Sequence, residues 1–200
     1  MFPRTVESLN VFELRYRTML RDALAAGRAL VLALLEPGWE HEYHGSPGFH
    51  RLGCLTRIQE VEWLPNDRYQ ITREGTARVH LGRAVREYPY RACRVEVLPQ
   101  EPITEDDPLV QMQKQALKDT HERFLATAQP AVPARVAAAP TYESQVNALC
   151  AGGPATPEEK LALLALDSLI ERGRQIRELT EAWLRRALRP APDHEGGLWN

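Results

Sequence analysis

His41, His44 and His50 lie within ten residues of one another, with Glu40, Glu42 and Cys54 beside them. Imidazole, carboxylate and thiolate all bind zinc, so a metal site is one reading of this stretch. A solvated polar loop is the other, and it is preferred. No helical HExxH frames the histidines, and no CxxC pair supports them. Nucleophilic catalysis has less to stand on. Ser8, Ser46, Ser144 and Ser168 sit in no recognisable activating context, and no GxSxG elbow occurs. Of 25 basic residues only Lys114, Lys118 and Lys160 are lysines, which leaves little for Schiff-base or Ser–Lys chemistry. No GxxxxGK[ST] loop cradles phosphate, and no GxGxxG follows a strand. No cofactor and no catalytic residue is expected.

Trp39, Tyr43 and Phe49 are the other candidates. Loop aromatics often mark a contact with a partner. Core packing competes with that reading and is favoured by residue type. Four arginines between positions 83 and 94 flank Tyr88 and Tyr90, a combination able to stack and neutralise RNA. Glu87 and Glu96 dilute it, so a solvated strand pair is preferred. The net charge of −2 over 200 residues gives no general pull toward nucleic acid or anionic membrane. Cys54, Cys93 and Cys150 form no disulfide framework, and Cys54 and Cys93 read as small buried groups. No apolar h-region follows Met1, and the longest apolar run, 29–35, is too short to span a bilayer. A reducing cytoplasm is the expected compartment.

The elements that position these residues change in kind near residue 103. Residues 1–103 read as strands and turns around one helix over 13–26. There Phe12, Tyr16, Met19, Leu20 and Ala23 keep helical spacing, and Gly27 stops it. Residues 30–35 read as a buried strand. Residues 53–64 read as a long bent strand, with Pro65-Asn66-Asp67 turning into 68–72. Residues 77–81 and 91–98 add two more strands, suggesting a small barrel or rolled sheet. Residues 104–190 read as helices. Asp107 and Pro108 open the first. A linker is expected at 130–140, and a short helix covers 142–151. Thr156-Pro157 opens the next helix, and Asp167 recaps the last, 168–188. Residues 191–200 read as a frayed tail.

Phe12-Glu13-Leu14-Arg15-Tyr16, after Val11, resembles the (I/V)FExRY segment of the Lon-protease N-terminal domain, the LON substrate-binding domain. Further features follow in the family's order. Gly53-Cys54-Leu55-Thr56-Arg57-Ile58 is similar to its G-x-x-x-(R/E)-I strand. Leu64-Pro65-Asn66-Asp67-Arg68-Tyr69 is similar to its LPDGRY hairpin. Glu74-Gly75-Thr76-Ala77-Arg78 is similar to its (E/R)G-x-x-R turn. Glu159-Lys160, Leu163-Leu164, Asp167 and Arg172 resemble its closing helices, with Leu161 in place of Gln. Trp39 after Pro37-Gly38 resembles a loop of stand-alone bacterial members. The family's LPLFPL…LFPG opening is missing, so a shortened or rewritten first strand is expected.

The resemblance implies an α+β fold: an N-terminal β-rich PUA-like pseudo-barrel with one helix, followed by a C-terminal helical bundle. It implies a non-catalytic module that binds unfolded or exposed polypeptide, with a separate protease or another protein as partner. Phe12, Glu13, Arg15 and Tyr16 are then structural, tying the first helix to the barrel. RNA binding, known for PUA-like barrels, is the alternative function. The oligomeric state is left open.

Overall fold

The computed structural model describes residues 1–43, 45, 47–128, 135–136 and 141–188. The expected linker at 130–140, apart from 135–136, and the tail at 191–200 lie outside the described residues, as does His44.

The strand-rich part holds β1 (Thr5–Val11), α1 (Leu14–Ala25), β2 (Ala29–Leu35), β3 (Phe49–Leu64), β4 (Arg68–Arg86) and β5 (Ala92–Val97). A 3-10 turn covers Trp39–Glu42. The helical part holds α2 (Pro108–Ala128), α3 (Tyr142–Gly152), α4 (Pro157–Ala165) and α5 (Leu169–Ala187), with a two-residue strand β6 (Arg135–Val136) before α3. The class is α+β. All strand pairings are antiparallel, in the order β2-β3-β4-β1-β6, and β5 also pairs with β4.

β4 organises the sheet. It runs unbroken for 19 residues, where a turn at Glu74–Arg78 and two separate strands were expected. Its first half pairs with β1 and its second half with β5. Gly75 serves close approach rather than a turn. A Cβ there would collide with the backbone oxygen of Phe2, and the Gly75 carbonyl accepts from Arg4 N–H at 2.8 Å. The chain start is folded onto the sheet in this way. β1 is also a full strand of seven residues, paired with β4 from Val6 to Val11, and not the weakened one expected. The β3–β4 turn matches its sequence: Asn66 and Asp67 both take positive φ, which their short polar side chains tolerate.

Two apolar clusters hold the molecule. Leu20 and Ala23 of α1 pack on Val11, Ile58 and Ile71 of the sheet. The larger cluster joins the helices through Leu117, Phe124, Val146, Leu149, Leu163 and Ile176, and Phe2 is buried in it too. Thr156 and Glu159 close a reciprocal capping box on α4, with Pro157 behind the cap. Ser168, not Asp167, caps α5. Asp167 is engaged elsewhere: its carboxylate accepts from Arg78 Nη2 at 2.7 Å.

Two buried guanidiniums meet the end of α4. Arg78 Nη1, from β4, donates to Leu164 O at 3.0 Å, and Nη2 also donates to Pro99 O. Arg172 is fully buried and donates to Leu163 O (3.0 Å), Leu166 O (2.5 Å) and Asn147 Oδ1 (2.9 Å). These carbonyls are the acceptors a helix leaves open at its C-terminus, where positive charge is favoured. Burial pulls Arg172 down to about 10, so it is still charged at neutral pH. Arg172→Leu removes three donated bonds at once, and Leu163 O keeps only the Leu166 N–H at 3.3 Å. The variant should lose about 3 kcal/mol or more in urea unfolding, and Arg172→Lys should fail to restore it, because an ammonium cannot reproduce the fork.

Candidate functional site

The concave end of the sheet, formed by β2, β3, the second half of β4, and β5, frames a trough of about 480 Å³. Strand alternation makes its floor apolar. Val31 pairs with Leu55, and Leu81 with Val95, so their side chains share one face; Cys93 adds to the lining. Gly53 lies among them. A Cβ at that position would sit 2.9 Å from Leu81 Cδ1 and 3.2 Å from Val31 Cγ1, so glycine lets those two side chains close over the strand. β2 is half-buried along most of its length, where a fully buried strand was expected.

The walls come from α1 (Arg15, Tyr16 and Met19), from Tyr43, Gly45, Pro47 and Phe49, and from the β4–β5 connection. Each is tied down. Glu13 stands at the N-cap position of α1 but makes no side-chain cap. Its carboxylate instead accepts from Arg15 Nε at 3.0 Å and from the Tyr43 hydroxyl at 2.6 Å. Arg15 Nη1 donates to Tyr43 O at 3.1 Å, and its guanidinium stacks on the rings of Tyr16 and Tyr43 at 4.7 and 5.0 Å. Trp39 meets Tyr43 edge to face at 5.6 Å. The α1 motif residues and the loop aromatics, distant in sequence, therefore form one cluster. Glu13, Arg15 and Tyr16 tie α1 to the aromatic loop. The hydrogen bond to Glu13, with burial next, raises the Tyr43 pKa above its ordinary value.

The other wall is fastened to the far end of α1. Asp22 accepts from the Tyr90 hydroxyl at 2.5 Å and pairs with Arg86 at 3.5 Å, and Arg86 stacks on Tyr90 at 3.9 Å. Arg91 bridges the two loops. It donates to Pro47 O at 2.9 Å, pairs with Glu87 at 3.0 Å and stacks on Phe49 at 4.7 Å. Two of the four arginines that suggested RNA are thus engaged within the rim.

Of the aromatic candidates, Tyr43 and Phe49 line the trough; Trp39 stands behind Tyr43, about a third exposed. Phe12, the first motif residue, is 59 % exposed and lies outside the lining. The lining also contains β2 and β5 residues whose sequence marks them only as strand. The uncharged run Ala29-Leu30-Val31-Leu32-Ala33-Leu34-Leu35 was the available signal for them. Among the described residues, no group of three or more His, Cys, Asp or Glu could hold a metal ion. None of the described helices is long and apolar enough to cross a membrane. A second hollow, about 390 Å³, lies between α4 and α5 around Leu163 and Leu179, with Glu159 and Glu178 among its lining.

A curled antiparallel sheet with one helix against it and a bundle of helices behind defines the class of domain. The family model for the ATP-dependent protease La (LON) substrate-binding domain matches residues 1–182, and the chain belongs to that family. The matched region is the substrate-binding domain and contains no protease domain. The fold is similar to that of a Lon N-terminal domain protein from Xanthomonas campestris, with a TM-score of 0.63 and 22 % identity over 92 % of each chain. It is also similar to the N-terminal domain of Mycobacterium avium complex Lon protease, with a TM-score of 0.60 and 16 % identity over 90 % of this chain and 92 % of that one. No curated protein matches the chain.

The site makes two predictions. Burial pushes the Cys54 and Cys150 thiols up to about 12, whereas Cys93 is half-buried in the trough. A thiol reagent should titrate Cys93 in the native protein and reach the other two only in denaturant. Glu13→Gln should lower the Tyr43 pKa toward the ordinary value of about 10, read as the difference in phenolate absorbance between the two proteins. The sign follows from the raised folded value. This contribution to stability is present below the unfolded pKa and is lost as pH rises through the folded one.

Proposed function

We propose that the trough receives exposed or unfolded polypeptide, and that the protein acts as a recognition module or adaptor without a catalytic step of its own. The observation that carries this reading is the apolar, sheet-floored trough with Tyr43 and Phe49 on its rim. Its volume is within the range of sites that bind small ligands or short segments, about 300–1,000 Å³. An apolar floor favours the side chains that folded proteins hide, and rim aromatics supply rigid contact area. Membership in a substrate-binding family supports the same class of ligand. The trough lies between the sheet and α1, not between the barrel and the C-terminal helices. A separate protease would supply any cleavage.

Anisotropy of a labelled unfolded polypeptide tests the reading. Saturable binding is expected. Phe49→Ala should weaken it about tenfold, as should Trp39→Ala through its support of Tyr43. A bulky maleimide on Cys93 should block binding. Unchanged affinity in all three proteins would remove the trough from the account. Salt-sensitive binding of single-stranded RNA, with no polypeptide binding, would replace the reading by the nucleic-acid one.

A further inference from the structure

The β2 edge facing the trough carries a set of backbone groups with a definite register. Ile58 N–H donates to Arg28 O at 2.8 Å, so Arg28 and Ile58 are a hydrogen-bonded pair. From Ala29 to Ala33 the pairing with β3 is regular, Ala29 opposite Arg57 and Ala33 opposite Gly53. In an antiparallel ladder bonded and non-bonded pairs alternate. Leu30 and Leu32 therefore turn their N–H and C=O toward β3, and Ala29, Val31 and Ala33 turn theirs away from it. These three are also lining residues of the trough. Among the described residues no strand pairs with that edge, and no backbone bond from another element reaches it.

Exposed edges are ordinarily blunted by charge, proline or bulges. β5 has such protection: Arg94 and Glu96 interrupt it, and its register against β4 shifts twice. β2 has no charged residue, no proline, and no register shift before Ala33. Resting on the reading of the trough as a polypeptide site, we propose that β2 binds its ligand by strand addition. An extended, uncharged segment would align with Ala29, Val31 and Ala33 and set alternate apolar side chains toward Leu55 and Leu81.

Two features select a single extended chain over a second folded copy. The trough that the edge faces is walled by Arg15, Tyr16 and Met19 of α1 and by Tyr43, Pro47 and Phe49, which stand in the way of the same edge of another copy. The rim cations are internally paired, Arg15 with Glu13 and Arg91 with Glu87, so the flanks select an uncharged segment. Main-chain bonds supply affinity in this mode, and alternate side-chain positions supply preference.

The test uses a labelled peptide of alternating valine and threonine with terminal lysines, N-methylated either at every valine or at every threonine. On a one-sided edge only alternate amides face β2. One methylated series should lose at least about tenfold in affinity and the other less than about twofold. Equal effects in the two series overturn strand addition while leaving the polypeptide reading intact. Failure of the unmethylated peptide to bind sinks both. Val31→Pro gives a check on the protein. It deletes an outward N–H and spares the ladder bonds of Leu30 and Leu32. The folded variant should lose peptide binding, and Val31→Ala should keep most of it. A dimer in sedimentation that Val31→Pro dissociates would overturn the proposal, because the edge would then be a subunit interface.

Discussion

Arg78 sets the arrangement on which the rest of the molecule depends. It leaves the middle of β4, is 2 % exposed, and spends its guanidinium on Leu164 O, Pro99 O and Asp167. A buried cation is tolerated only where such acceptors meet it, so the end of α4 has one place to sit against the sheet. Arg172 grips the same turn from the helical side. Between them they join the strand-rich and helical parts at one α4–α5 corner, and the apolar cluster that includes Phe2 continues that seam.

Sheet alternation carries the consequence to the other face. Arg78 and its cross-strand partner Cys54 point to one side of the strands, while their neighbours Gly53, Leu55 and Val79 point to the other. The bundle covers the first side. The second is bordered only by Arg15, Tyr16 and Met19 of α1 and by two loops, which do not fill it, and the trough remains; the other side of α1, through Leu20 and Ala23, packs on Ile58, which shares the Cys54 face. The trough's walls are held by contacts to both ends of α1, through Glu13 and Arg15 at one end and Asp22 at the other. An apolar cavity with pinned walls is preorganised for a ligand, since little ordering is left to do on binding.

Much of this was legible in the sequence. Helix starts were readable because caps act locally: Thr156 with Glu159, and Asp107 with Pro108. The Asn66-Asp67 turn was readable for the same reason. Asp167 was misread because a short acid before a helix suits two roles, and a guanidinium 89 residues away decided between them. Gly75 was misread as a turn because close backbone approach and tight turns both call for glycine. The trough was half-visible. Its aromatic rim and the FExRY motif were each apparent, but the Glu13–Tyr43 bond joins residues 30 apart, and no local rule connects them. The edge of β2 was hidden for a similar reason. An unbroken apolar strand reads as buried on both sides, and only the sheet order reveals that, among the described residues, no strand pairs with one edge.

Residue-resolved amide hydrogen exchange, with and without saturating unfolded polypeptide, tests the central claim most directly. In the free protein the amides of Val31 and Ala33 should exchange quickly while Leu30 and Leu32 are protected by β3. With polypeptide bound, Val31 and Ala33 should slow, and α4 and α5 should be unchanged. Protection confined to the α4–α5 hollow, or no change along β2, would contradict the account.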